Sequence, residues 1–199
     1  MEKVAVIYEG KYGSTEQYAK WICEETSGDL FSLEEAVKTD LAVYDAVVFG
    51  GAIHAGGILG IDKFKKIFKK IMDKRVYTFA VGLNIDDEEA RKECMELNFE
   101  KQEYVVRKAI TWVFGRRIPE AEVRFGKLPC WFFKGAYDPA RITGADKTVM
   151  GVVKKMIGGK PRSERTESEQ QLLEAVENGA DNVDKSYIRD LVDAVKGKA

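Results

Sequence analysis

The sequence predicts an α/β protein in which a five-stranded parallel sheet carries helices on both faces. Short apolar runs alternate with amphipathic helical patterns about five times along the 199 residues. The run at 46–49 is uninterrupted by polar side chains, which is typical of a parallel strand covered on both sides. Glycine-bearing loops follow the first and third predicted strands directly. Because parallel strands need crossover connections, strand–helix alternation favours this class over an antiparallel one.

The composition predicts one soluble cytoplasmic domain spanning residues 1–199. A net charge of −1 gives no reason to expect a nucleic-acid partner. No apolar run approaches the roughly 20 residues of a transmembrane segment, and the apolar run after Met1 is too short for a signal peptide. Cys23, Cys94 and Cys130 are far apart, and His54 is the only histidine. This spacing excludes a zinc cluster, predicts no metal site and favours a reducing compartment.

The first half of the chain contains three predicted strands. The opening strand is followed by a helix that we expect to start at Ser14 as N-cap, with Gln17 as capping-box partner, and to end near residues 27–28. Residues 30–33 are a short second strand. A polar connection then leads to the third strand at 45–50.

The second half continues the alternation. We predict a helix over 64–72, a strand over 76–83 and a helix from about 88 to 114 that is broken near Asn98. An irregular stretch over 115–129, with a short strand at 121–125, leads to a strand over 130–133 and to a helix over 149–157 that ends at Gly158 and Gly159. A polar insertion over 160–182, with a short helix around Leu172 and Val176, precedes a C-terminal helix over 183–197.

The first loop, residues 10–15, has the layout of an anion site. It lies between a buried strand and a helix start, so backbone N–H groups and the helix N-terminus converge there. Phosphate binding is the functional interpretation, and a tight turn that packs strand against helix is the structural one. In open parallel sheets, ligands bind at the carboxyl ends of the strands, where the strand order reverses.

Residues 6–15 resemble the phosphate-loop signature of the flavodoxin family. Gly10 departs from it, because the family usually has Ser or Thr there. The resemblance implies a flavodoxin-like three-layer sandwich with strand order 2-1-3-4-5, and FMN as the cofactor. The cofactor-binding residues that it implies are Gly10, Lys11, Tyr12, Gly13, Ser14, Thr15, Ala52, Ile53, His54, Ala55, Gly56, Leu83, Asn84 and Tyr137.

Within this family the chain is similar to the branch of menaquinone-dependent protoporphyrinogen oxidase. The similar stretches are 48–56, 79–84, and 133–137 through to 156–159, whereas residues 160–163 depart from the branch's pattern. The resemblance implies an oxidoreductase that takes protoporphyrinogen IX as donor and a quinone as acceptor. It also implies peripheral membrane contact, and we expect a homodimer.

Two other functions stay open at this point. A flavodoxin-type electron carrier would dock on redox partner proteins, but such carriers in this family tend to be strongly acidic. A non-enzymatic member would keep the fold and bind another phosphate ligand. Either alternative would lack turnover of a small-molecule redox substrate.

Several side chains allow both a functional and a structural interpretation. His54 is expected to contact the flavin rather than to act as a catalytic residue, and no catalytic residue is assigned. A peptide next to Gly56 is a candidate to flip its carbonyl toward the flavin. The aromatic run at 131–133 is expected to be core, with Tyr137 lining the flavin. Arg116 and Arg117 are a solvated pair or a site for substrate carboxylates, and the cysteines are small buried apolar residues.

Overall fold

A computed structural model describes residues 2–100 and 124–198 of the chain. Five strands form the parallel sheet in the order β2-β1-β3-β5-β6, and a short strand, β4, pairs antiparallel with β3. Counting only the parallel strands, this is the predicted order 2-1-3-4-5. The predicted fold class is therefore confirmed. The strands are β1 Val4–Glu9, β2 Asp29–Ser32, β3 Ala46–His54, β4 Gly57–Ile58, β5 Arg75–Gly82 and β6 Cys130–Lys134, with β7 Ala136–Tyr137 paired to β8 Ala180–Asp181 outside the sheet.

Helices cover both faces of the sheet within the described residues. They are α1 Ser14–Thr26, α2 Leu33–Lys38, α3 Ile61–Phe68, α4 Glu88–Met95, α5 Gly144–Gly158, α6 Glu167–Asn178 and α7 Arg189–Val195. No helix in that part of the chain has both the length and the apolar character needed to span a bilayer.

The side chains of each strand point alternately to the two faces of the sheet, so the core forms two layers. Ala5 and Ile7 of β1 face α2 and α3, whereas Val4 and Val6 face α1 and α7. Successive strand side chains point to opposite faces, so a fully apolar strand supplies both layers. This is why the apolar runs of the sequence identified the central strands.

The predicted capping box at the start of α1 is wrong. Gly13 is the N-cap, in a left-handed conformation with φ 100°, and no side chain caps the helix. The Ser14 hydroxyl instead accepts a hydrogen bond from the Ala136 N–H at 3.1 Å. A residue 122 positions away thus uses the oxygen that the local pattern assigned to the cap.

The polar connection after the second strand contains a helix that the sequence did not predict, α2. Ser32 ends β2 and caps α2: its hydroxyl accepts the Glu35 N–H, and the Glu35 carboxylate accepts the Ser32 N–H. Leu33 and Ala36 are buried beneath this helix. The capping-box signal was present, but the apolar pair on either side of Ser32 was interpreted as strand.

The predicted helix over 88–114 is confirmed only in its first part. Helix α4 passes at Glu96–Glu100 into a π-helical turn, close to the predicted break at Asn98. Residues 101–123 lie outside the described residues, and with them the rest of that helix, Arg116, Arg117 and most of the predicted strand at 121–125. The two residues of this predicted strand that the structure describes, Arg124 and Phe125, are helical rather than extended.

The segment 160–182 contains more ordered structure than a polar insertion. Helix α6 starts with a capping box between Thr166 and Glu169 and buries Leu173 and Val176, so the predicted short helix is confirmed. Lys154 of α5 bridges Glu177 of α6. The C-terminal helix begins as a 3-10 turn at Lys185–Ile188 and continues as α7.

Candidate functional site

A cavity of about 610 Å³ opens at the carboxyl ends of β1, β3 and β5, beneath α5. All the predicted cofactor-binding residues line it except Gly10 and Gly13. The structure therefore brings together residues that are up to 126 positions apart in sequence (Lys11 and Tyr137). The volume of the cavity falls in the range of small-molecule sites. Contact of these residues with a cofactor stays a prediction.

Gly10 lies directly behind Thr15. A Cβ at Gly10 would lie 2.9 Å from both Cβ and Oγ1 of Thr15, closer than real side-chain contacts allow. Thr15 itself is 2 % exposed and lines the cavity. Glycine at position 10 thus leaves room for Thr15 in its present position.

The first turn of α1 points into the same region. The Gln17 N–H makes the first intrahelical bond, to the Gly13 carbonyl, so the N–H groups of Ser14, Thr15 and Glu16 have no partner inside the helix. Such groups and the positive end of the helix dipole favour an anion.

A buried carboxylate from α5 joins the two predicted cofactor loops. Asp146 accepts hydrogen bonds from Lys11 Nζ at 3.1 and 3.2 Å and from the Tyr12 hydroxyl, and His54 Nε2 lies 2.5 Å from its Oδ1. Its side chain is only 7 % exposed, against 48 % for Lys11. Lys11 and Tyr12 belong to the first loop, and His54 ends β3. Asp146 therefore ties the ends of β1 and β3 to α5.

These contacts keep Asp146 ionised. The hydrogen bonds from Tyr12 and Lys11 lower the pKa of its carboxyl to about 2. The same bond raises the pKa of the Tyr12 phenol, because the carboxylate accepts its proton. At neutral pH the cluster thus holds a carboxylate, an ammonium and a neutral phenol.

The loop after β3 is a tight hairpin. Ala55 and Gly56 both have positive φ, 49° and 81°, and His54 pairs with Gly57 across the turn. Two central residues with φ above zero are the pattern of a type I′ turn, which suits glycine at the second position. The turn presents His54 and Ala55 to the cavity.

Asn98 stabilises this hairpin through hydrogen bonds to its backbone. Its Oδ1 accepts the Ile58 N–H at 2.8 Å, and its Nδ2 donates to the Gly56 carbonyl at 2.9 Å and to the Cys94 carbonyl at 2.7 Å. Asn98 is 4 % exposed. Of the two carbonyls next to Gly56, the Gly56 carbonyl is therefore engaged by a buried amide. The flipping of a peptide next to Gly56 stays a prediction.

The rest of the cavity wall is largely apolar. Phe132 of the aromatic run lines it, whereas Phe133 lies in the core and is 1 % exposed. Tyr137 is 8 % exposed and also lines the wall. Its contact with a flavin stays a prediction. The further apolar side chains that line it are Leu97, Ile142, Val149, Met150, Val153 and Leu172.

Cys94 also lines the cavity, and burial raises the pKa of its thiol to about 11. The thiol therefore stays protonated and unreactive at neutral pH. This agrees with the prediction that the cysteines are small buried apolar residues. Cys23 and Cys130 are partly buried, and all three are free thiols.

Asp146 and Asn98 were not identified from the sequence. An acid in the first turn of a helix is ordinary, and its sequence position carried no sign of the loops it contacts. Asn98 was interpreted as a helix break. Its helix does change to a π turn there, a feature often found at functional sites.

Comparison with known proteins identifies the family. The model of the flavodoxin domain family matches residues 5–164 of this chain. No curated protein matches it.

Solved structures with a similar fold share little sequence with this chain. A flavodoxin, WrbA-like protein from Agrobacterium tumefaciens is 14 % identical, with a TM-score of 0.42 over 89 % of this chain and 94 % of that one. Oxidised flavodoxin 2 from Bacillus cereus is 13 % identical, with a TM-score of 0.40 over 87 % and 94 %. An FMN complex of a flavoprotein from Lactobacillus acidophilus is 16 % identical, with a TM-score of 0.33 over 41 % and 76 %.

These similarities are low, so the assignment depends on the family model. That model covers most of the chain, including β1 with the first loop, β3 with its hairpin, and α5 with Asp146. The chain belongs to the flavodoxin domain family.

Proposed function

We propose that this protein is an FMN-dependent oxidoreductase that oxidises protoporphyrinogen IX and passes the electrons to a quinone. The observation that carries the proposal is the position of the cavity. It lies between the carboxyl ends of β1 and β3, which are adjacent strands at the point where the strand order reverses. Membership of the flavodoxin family supports FMN as the cofactor.

The residues present fit the two ends of such a cofactor. For the phosphate, the first turn of α1 offers free N–H groups, and Ser14 and Thr15 line the cavity beside them. For the flavin ring, residues 52–56 offer backbone groups, and Leu83 and Tyr137 offer apolar surface. An apolar wall with a few convergent polar groups is the usual composition of a cofactor site.

Bound FMN would supply the electron and hydride transfer, and the protein supplies binding, orientation and electrostatics. The hairpin at 52–57, braced by Asn98, would fix the ring edge. The ionised Asp146 sets a negative charge between Lys11 of the first loop and His54 at the end of β3. The apolar wall would exclude water from the reacting edge of the flavin.

The substrate class is supported by the same wall and by the resemblance described above. Porphyrinogens and quinones are broad and largely apolar, and Met150, Val153 and Leu172 extend the apolar lining beyond the predicted cofactor residues. These side chains come from α5 and α6. We therefore place the substrate between the cofactor and these two helices.

Anaerobic turnover tests the proposal. The FMN-loaded protein is mixed with protoporphyrinogen IX and menadione, and protoporphyrin formation is followed by its fluorescence. The expected result is catalytic protoporphyrin formation that depends on both menadione and FMN. Met150→Glu, which places a charge on the apolar wall, should lower turnover without loss of FMN. Its control is Met156→Glu, because Met156 is on the same helix and 69 % exposed.

An electron carrier would give a different result. It would accept electrons from a partner reductase, would retain FMN, and would turn over neither protoporphyrinogen nor quinone. That outcome would contradict the proposed enzyme and leave the cofactor site intact.

A further inference from the structure

We propose that Asp146 is an internal counter-anion that limits the affinity of this site for phosphorylated ligands. Its carboxylate holds Lys11, and a ligand phosphate must take Lys11 over from it. The proposal deepens the function proposed above and rests on it for the identity of the flavin. Its physical basis is the contact between Lys11 and Asp146.

Lys11 is the only lysine that lines the cavity within the described residues. It belongs to the first loop, next to the N–H groups of α1 that suit a phosphate. Its Nζ lies within 3.2 Å of both oxygens of Asp146. The ammonium group beside those N–H groups is therefore already paired.

The pairing is a built arrangement rather than a chance surface contact. The Asp146 side chain is 7 % exposed and also binds Tyr12 and His54, which come from different loops. Charge-assisted bonds of this kind are about twice as strong as neutral ones. Asp146 stays ionised at neutral pH, so it opposes a second anion at the same place.

Two consequences follow for ligand binding. A phosphate that reaches Lys11 gains an ammonium but must replace one carboxylate contact and approach a negative charge. A ligand without phosphate does neither. Asp146 should therefore weaken the binding of FMN while leaving riboflavin unaffected.

The test compares Asp146→Asn with the wild-type protein, both stripped of bound flavin. Asparagine keeps the shape and removes the charge. Flavin fluorescence quenching should show about tenfold tighter FMN binding in the variant, because the Lys11 ammonium no longer has to leave a carboxylate to meet the phosphate. Riboflavin affinity should change by less than about twofold. Asp138→Asn is the matched control, since Asp138 is exposed and absent from the cavity wall.

A second readout does not depend on flavin. His54 is the only histidine, so its imidazole NMR signals need no assignment by mutagenesis. Inorganic phosphate added to the wild-type protein should shift these signals, because it draws Lys11 away from the carboxylate that His54 contacts. In Asp146→Asn the shift should be smaller, and phosphate should bind at lower concentration.

The outcomes separate the two proposals. If neither flavin binds but phosphate still shifts His54, the proposed function fails and the counter-anion stands. If FMN binds equally to wild type and Asp146→Asn, or if riboflavin gains as much as FMN, the counter-anion is overturned and the cofactor site stands. Weaker FMN binding in Asp146→Asn would also overturn the counter-anion proposal, because Asp146 would then bind FMN itself or hold the first loop in its binding conformation. Circular dichroism of each variant confirms that it is folded.

Discussion

The two predicted cofactor loops of this protein are held in different ways. The first loop, residues 10–15, is tied by a charged contact from Lys11 to Asp146, 135 positions away. The hairpin at 52–57 is tied by the neutral amide of Asn98, which bonds backbone groups on both sides of the turn. Charged contacts respond to ligands and pH, and neutral buried bonds do so much less.

This difference means that the hairpin is preformed, whereas the first loop can adjust to a ligand. The hairpin should keep its shape whatever the cavity holds, because its backbone bonds are satisfied within the protein. The first loop shares its cation with a carboxylate, so its charge balance should change when an anion arrives. Ligand discrimination is thus expected at the first loop, and ring placement at the hairpin.

The largest effect is expected from Thr15→Glu. It places a bulky acid where the cavity meets the first turn of α1, which both blocks and repels a phosphate. FMN retention should fall below detection while the fold survives, as measured by absorbance at the flavin band and by circular dichroism. Thr148→Glu is the control, because Thr148 is exposed on α5 and does not line the cavity. A Thr15→Glu protein that stays loaded would remove the first loop from the cofactor site.

The next effect is on stability, from Asn98→Ala. The variant leaves the buried Ile58 N–H and the Gly56 carbonyl without their partner, and an unsatisfied buried group costs about 1–3 kcal/mol. Urea unfolding should show a loss of that order. Asn178→Ala, at an exposed helix end, should change stability by less than about 0.5 kcal/mol. Equal stability of both variants would show that the hairpin does not depend on Asn98.

A smaller effect depends on pH and belongs to the first loop. The folded-state pKa of Asp146, about 2, lies below the ordinary value of about 3.9 for an unfolded aspartate. Its contribution to stability is therefore present above about pH 4 and is lost as the pH falls from 4 to 2. The stability difference between wild type and Asp146→Asn should shrink over that window.

Urea unfolding at pH 7, 5, 4 and 3 measures this difference. Asp138→Asn provides the comparison at an exposed position. A difference that stays constant down to pH 3 would mean that Asp146 stabilises the fold through shape rather than charge.

The smallest effect is expected from Gly10→Ser, which restores the family's usual hydroxyl residue. The new Cβ would press on Thr15, so overpacking should cost about 1 kcal/mol of stability. FMN affinity should not improve. Tighter binding in this variant would show that Thr15 can shift, and that Gly10 weakens the phosphate site.

Local patterns predicted the sheet because each central strand is apolar on both faces. Residues 46–49 and the run at 76–83 needed no tertiary information to be recognised as strands. The two loops were predicted because strand ends and glycines mark them, and the resemblance to the flavodoxin family implied the binding residues Lys11 to Thr15 and Ala52 to Gly56. Helix α2 was missed because Leu33 looks the same at the end of a strand and at the start of a helix.

The long-range partners in the site could not be predicted in this way. Asp146 reaches Lys11 and His54 across 135 and 92 positions, and only the folded sheet brings them together. The same holds for Ser14, whose hydroxyl serves Ala136 rather than its own helix. Where a side chain can form any of several equivalent hydrogen bonds, only the tertiary structure determines which of them it forms.

The central claim is that the cavity between the ends of β1 and β3 binds FMN. The most direct measurement is the visible spectrum of the purified protein, followed by release and identification of any flavin and titration of the stripped protein with FMN. The account predicts a flavin spectrum, release of FMN, and saturation at one FMN per chain that Thr15→Glu abolishes. A colourless protein that takes up no FMN would contradict it.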